Sequence, residues 1–144
     1  MLKFIFNFSR DVRYEKNLDF ELGYISVIFN NELLYDGEKG QNYMLFISIS
    51  DILFGLIEYF EKDMENKEVG LADSSVTFSF IKNKYKTILE INNKFICEIE
   101  TDLMIKKFLE ASNEFYKAYS SRLEKAVAFD MKYAIDKAIS ILVI

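Results

Sequence analysis

The side chains able to do chemistry are few in this chain. It contains no histidine, which removes the commonest general base and the commonest metal ligand together. Its single cysteine, Cys97, falls in the apolar phase of an alternating run, where a free thiol is far more often a small core residue than a nucleophile. One cysteine cannot form an intrachain disulfide, and a reduced, cytoplasmic setting is the simplest expectation. The glycines at 23, 37, 40, 55 and 70 never fall into a G-x-G-x-x-G or G-x-x-x-x-G-K spacing that would cradle phosphates. Carboxylates remain. Asp36, Glu38, Asp63 and Glu65 offer oxygen ligands for Mg²⁺ or Ca²⁺, but EF-hand spacing is absent and acids of this kind are mostly solvated. The expectation is a chain that is not an enzyme and holds no metal or other cofactor.

Charge is the informative asymmetry. The whole chain has 18 basic and 23 acidic residues, a net charge of −5 and an isoelectric point near 4.9. Residues 36–73 alone carry nine acids against three bases, net −6, whereas residues 1–35 come to −1 and residues 74–144 to +2. An acidic balance argues against direct contact with nucleic acid, which needs clustered Lys and Arg. A field of one sign attracts a cationic protein and speeds its arrival. The expected partner-binding surface is Asp36, Glu38, Glu58, Glu61, Asp63, Glu65 and Glu68, with Tyr59 on the acidic side of a helix; Tyr35 and Tyr43 flank the loop before it. Aromatic rings beside carboxylates suit the binding of Arg and Lys.

The elements that must position these residues follow from periodicity. The 144 residues fit one domain, 1–144, able to bury a real core. No window approaches the roughly 20 uninterrupted apolar residues of a membrane span. Alternation predicts a first strand at 2–8, then Leu18, Phe20 and Leu22 in one phase and Ile25, Val27 and Phe29 in the other, with a bulge at Gly23 between them. Asn30-Asn31 tolerates positive φ and predicts a hairpin. The polar stretch 36–42 is a loop, and 43–49 reads either as a short strand or as the approach to the next helix, an extended segment being the preferred reading. Ser50 then resembles an N-cap with Asp51 in the first turn, opening a helix over 50–64 whose stripe is Ile52, Leu53, Leu56, Ile57, Phe60 and Met64. Residues 66–73 form its exit. A three-strand meander follows, with Val76, Phe78 and Phe80, then Tyr85, Thr87, Leu89 and Ile91, then Phe95, Cys97 and Ile99 as its apolar sets. Thr101 is the expected cap of a first terminal helix carrying Met104, Phe108 and Phe115. Ser121-Arg122-Leu123-Glu124 has capping-box spacing and splits off a last helix with Met131, Ala134, Ile135 and Ala138. Its apolar ending is expected to be packed or to form a homodimer through Ile139, Leu142 and Ile144. The predicted class is α+β, one antiparallel sheet of five to six strands with a central helix and two C-terminal helices packed against it.

This layout, a hairpin (YISVIFNNELLY), an amphipathic helix (SISDILFGLIEYFEKD), a meander (SVTFSFIKNKYKTILEINNKFICEIE) and a terminal helical segment, resembles the small acidic immunity proteins of bacterial polymorphic and contact-dependent toxin systems. The resemblance implies a stoichiometric cytoplasmic inhibitor whose acidic surface covers the active site of a basic, nuclease-type toxin. A phage-encoded inhibitor of a nucleic-acid-binding defence enzyme and a homo-oligomeric structural module are the alternatives.

Overall fold

Burial of large apolar side chains, more than local capping chemistry, decides where the elements of this protein begin. The structure, a computed structural model, describes residues 3–11 and 22–142, without the side chain of Leu142. The expected contributions of Leu2, Leu18, Phe20, Leu142 and Ile144 therefore lie outside the described residues or side chains. Strands β1 (Phe4–Arg10), β2 (Leu22–Phe29), β3 (Glu32–Tyr35) and β4 (Tyr43–Met44) lead into helix α1 (Leu45–Glu61). Strands β5 (Asn66–Gly70), β6 (Thr77–Asn83), β7 (Lys86–Ile91) and β8 (Lys94–Glu100) follow, and helices α2 (Thr101–Tyr119) and α3 (Lys125–Leu142) complete the order.

The class is α+β with antiparallel pairing and three helices, but the strands form two four-stranded sheets and not one of five to six. In the first, β2 pairs with β1 along one edge and with β3 and β4 on the other; the second runs β5-β6-β7-β8. Nor do the helices lie as one central and two C-terminal helices on a single sheet face. Helix α1 is wedged against β2, β4, β5 and β6 and so touches both sheets, while α3 packs chiefly on α1 and α2. Among the described residues no helix is long and apolar enough to cross a membrane.

Helix α1 starts at Leu45, five residues before the expected Ser50. Met44 makes no side-chain cap, and its N–H goes instead to the Ala72 carbonyl at 3.0 Å. Leu45, Phe46 and Ile49 are wholly buried, and this apolar area outweighs the cap signal. Ser50 is thus interior, its hydroxyl donating to the Phe46 carbonyl at 3.4 Å. Similar corrections apply further on. The Thr101 hydroxyl bonds Thr87 at 2.7 Å and caps nothing. Ser121 sits in a 3-10 turn (Ser120–Arg122), and the Glu124 carbonyl takes the Ala128 N–H at 3.0 Å, which puts the start of α3 after Glu124.

Gly23 makes no bulge: β1 and β2 pair without a shift from Phe4↔Phe29 to Arg10↔Gly23. It is glycine because a Cβ there would lie 2.4 Å from the Ser9 carbonyl and 2.8 Å from a Leu45 methyl. The irregularity lies opposite β3 instead, between Val27 and Ile28. There the free edge of β2 is closed by side chains. The buried Tyr43 hydroxyl accepts the Ile25 N–H at 2.6 Å, and Ser26 Oγ accepts the Gly37 N–H at 2.9 Å.

Residues 66–73, expected as the exit from the helix, contain β5, which pairs with β6 from Asn66↔Ile81 to Gly70↔Thr77. In β8 the pairing jumps from Leu89↔Cys97 to Glu90↔Phe95, leaving Ile96 as the extra residue. That bulge turns Phe95 outward, 64% exposed, while Cys97 stays in the core. Tyr85, in the turn between β6 and β7, is likewise outside the apolar set expected for it. The hairpin turns hold: Asn30 and Asn31 have φ of 51° and 66°, and Asn92 and Asn93 have 53° and 65°.

The core is a chain of rings. Phe6 and Phe8 of β1 meet Phe108 of α2 edge-on at 5.0 and 5.4 Å, and Phe115 stacks on Phe46 of α1 at 5.0 Å.

Candidate functional site

Helix α1 has two working faces. Ile52, Leu53, Leu56 and Ile57 point into the core, and Asp51, Phe54 and Glu58 recur at helical spacing on the other side. Beside that second stripe runs β5. A glycine sets the approach, since a Cβ at Gly55 would come within 2.5 Å of a Val69 methyl. The result is an open groove of about 300 Å³ lined by Asp51, Phe54, Gly55, Glu58, Lys67, Glu68, Val69 and Gly70, three carboxylates against one ammonium.

The groove continues onto α3. Phe54 lies 6.0 Å from Tyr133, and Tyr133 stacks on Phe129 at 6.3 Å. Phe129 is 67% and Tyr133 52% exposed, unusual for rings with no partner element above them. Carboxylates rim the row. Burial raises the Asp51 carboxyl above its ordinary value, and the Asp130 charge adds to the shift. A cation arriving between them would relieve a like-charge contact and face aromatic rings at once. Glu58 shifts the other way, its pKa lowered by the charges of Lys62 and Lys67, with ion pairs at 3.4 and 3.5 Å.

The eight residues expected from sequence are not gathered in one place. Glu58 and Glu68 line the groove. Glu61 reaches Lys137 of α3 at 3.6 Å. Asp63 bonds Lys82 at 2.6 Å and lines a different cleft of about 340 Å³, with Phe60, Met64, Lys84, Tyr85, Thr101 and Asp102. Glu65 is exposed at the entry to β5. Asp36 and Glu38 sit at the opposite end of α1: Asp36 Oδ1 accepts the Glu38 N–H at 3.0 Å in a 3-10 turn fixed to β2. Asp36 and Glu38 precede α1, a helix of 17 residues about 25 Å long, whereas the other expected acids lie in its last turns or after it. Tyr59 is a correction. It is only 3% exposed, and its hydroxyl shares a 2.8 Å hydrogen bond with Thr87, itself bonded to Thr101. A buried threonine near the start of β7 needs a partner, so Tyr59 serves the core and not the surface.

Sequence reasoning missed Asp51 as a groove residue, together with Phe54, Phe129, Asp130 and Tyr133. One signal was available: Phe129 and Tyr133 are an i, i+4 aromatic pair lying off the stripe of Met131, Ala134, Ile135 and Ala138. Nothing local announces that this pair meets Phe54, because the two helices are about 70 residues apart in sequence.

Chemically the groove offers three carboxylates, one ammonium and the Phe54 ring. Cys97, raised by burial to about 12, is protonated at neutral pH. Among the described residues no three His, Cys, Asp or Glu side chains converge in a way that could hold a metal ion. Compared with protein-family models, with curated proteins and with solved structures, the chain matches none of them.

Proposed function

We propose that this chain is a non-catalytic protein-binding inhibitor, of the immunity type that its layout resembles, which neutralises a basic nuclease-type toxin by covering it. The observation that carries the reading is the exposed row Phe54–Tyr133–Phe129 rimmed by Asp51, Asp130, Glu58 and Glu68. Aromatic anchors supply most of the energy of an interface and are poorly tolerated as bare surface. Carboxylates around them select a cationic partner and raise its on-rate. The surface is smaller than the acidic tract of residues 36–73, because Asp36, Glu38, Glu61, Asp63 and Glu65 do not line the groove.

The test uses the product of the neighbouring gene as the toxin. Phe129→Ala and Tyr133→Ala each weaken binding by about thirtyfold, the scale of a 2 kcal/mol anchor, with no change in melting temperature. Asp130→Lys slows association and flattens its salt dependence. Unaltered binding by both alanine variants dismisses this face. If the wild-type chain instead sediments as a dimer that Phe129→Ala dissociates, the rings serve self-association.

A further inference from the structure

The second sheet ends at β5, and that end is open. The bonding pairs between β5 and β6 are fixed by the flanking contacts, Lys82 N–H to the Glu65 carbonyl at 2.8 Å and Leu71 N–H to the Val76 carbonyl at 2.9 Å. With the register Lys67↔Phe80 and Val69↔Phe78, the odd-numbered residues turn their N–H and C=O groups toward β6. Asn66, Glu68 and Gly70 turn theirs the other way. No described residue bonds those outward groups.

Unpaired edges invite another strand, and proteins usually blunt them with charges or cover them. Here Lys67 does not guard the edge: its side chain lies on the inner phase with Val69 and pairs with Glu58 of α1. At Gly70 no atom lies within 4 Å of where a Cβ would stand. Glu68 and Gly70 themselves line the groove, with the Asp51, Phe54 and Glu58 stripe of α1 as its far wall.

We infer that the free edge of β5 is a strand-addition site, which takes an extended segment of a basic partner, bearing alternating Arg or Lys, as a fifth strand of the second sheet. This deepens the reading of a cationic partner and rests on it. Main-chain bonds to Asn66, Glu68 and Gly70 supply affinity, at the 4.7–4.9 Å spacing of neighbouring strands, while alternate side chains supply specificity. One set of the incoming side chains meets Asp51, Glu58 and the Phe54 ring, where a guanidinium finds both charge and a π face. The other set lies on the Glu68 side. The groove beside β1, lined by Phe4, Ile5, Phe6, Lys107, Glu110, Ala111 and Glu114, borders another terminal strand, but the rings that line it, Phe4 and Phe6, are buried and offer no exposed π face.

The probe is a synthetic ten-residue peptide alternating Arg and Val, added to the full chain and followed by residue-resolved amide exchange. Exchange at Asn66, Glu68 and Gly70 slows at least tenfold on saturation. The same peptide N-methylated at alternate residues, with its charge intact and its strand bonds blocked, binds at least tenfold more weakly. Gly70→Pro removes one outward N–H without touching the β6 ladder and has the same effect; if that variant does not fold, the N-methyl comparison on the unaltered chain decides. Equal binding of the methylated peptide, or protection at Phe4, Phe6 and Phe8 instead, overturns strand addition. Binding that is abolished by Phe129→Ala and leaves the β5 amides unprotected overturns it too, while leaving the cationic-partner reading standing. If the Arg-Val peptide does not bind at all, both fall.

Discussion

Three buried groups and the half-buried Tyr35 give this protein a characteristic response to alkali. Burial raises the Tyr43 hydroxyl well above its ordinary 10.0. It also raises Tyr59, and Tyr35 with help from the Asp36 charge. The Cys97 thiol moves from 9.0 to about 12. Each of these groups keeps its proton longer in the folded chain than in the unfolded one. Above about pH 9 the unfolded state therefore binds fewer protons than the native state, and stability falls as pH rises. Urea midpoints measured from pH 7 to 11 should be level at first and decline from about pH 9. Tyr43→Phe should flatten that decline and cost about 1–3 kcal/mol at pH 7, because the Ile25 N–H loses its acceptor. A midpoint that holds steady to pH 11 would contradict the burial of these groups. Native Cys97 should likewise resist a thiol reagent that reacts promptly in urea.

Among the elements, the turns show where sequence and geometry agree and where they conflict. The Asn-Asn turns at 30–31 and 92–93 take positive φ at both positions with residues that tolerate it. The turn between β6 and β7 has positive φ at Lys84, 59°, with Asn83 and Lys86 paired across it. Glycine is preferred there. Lys84→Gly should stabilise the fold by about 0.5–1 kcal/mol, since relief of left-handed strain outweighs the added entropy of the unfolded chain; chemical denaturation reads this directly, and a loss of stability would refute the strain. The bulge at Ile96 belongs to the same scale. It was illegible in the alternation of Phe95, Cys97 and Ile99, because one extra residue reverses faces without altering local composition. The start of α1 failed for a related reason. Ser50 and Asp51 form a good local signal, but Leu45, Phe46 and Ile49 bury more apolar area than a cap can offset.

Across the whole molecule, α1 packs against both sheets, as α2 also does through β1, β7 and β8. Leu56, with none of its surface exposed, lies in its middle. Leu56→Ala should cost about 2–5 kcal/mol, and amide exchange should show β2 and β6 losing protection together, because α1 packs on both of them. Separate unfolding of the two sheets would show that α1 does not couple them. The same placement sets the reach of the acidic surface. Residues 36–73 are acidic as a tract, but a helix of 17 residues runs through that tract and carries its two ends apart.

Sequence alone determined the alternating strands, the asparagine turns, the break near Ser120 and the inward Cys97, since each depends on residues within a few positions of one another. Tertiary structure decided that the strands divide into two sheets, that β5 exists with an open edge, that Tyr59 is buried, and that Phe54 meets Tyr133 beside Asp51. Those outcomes depend on which distant surfaces cover one another, and burial free energy is summed over contacts that no local pattern records.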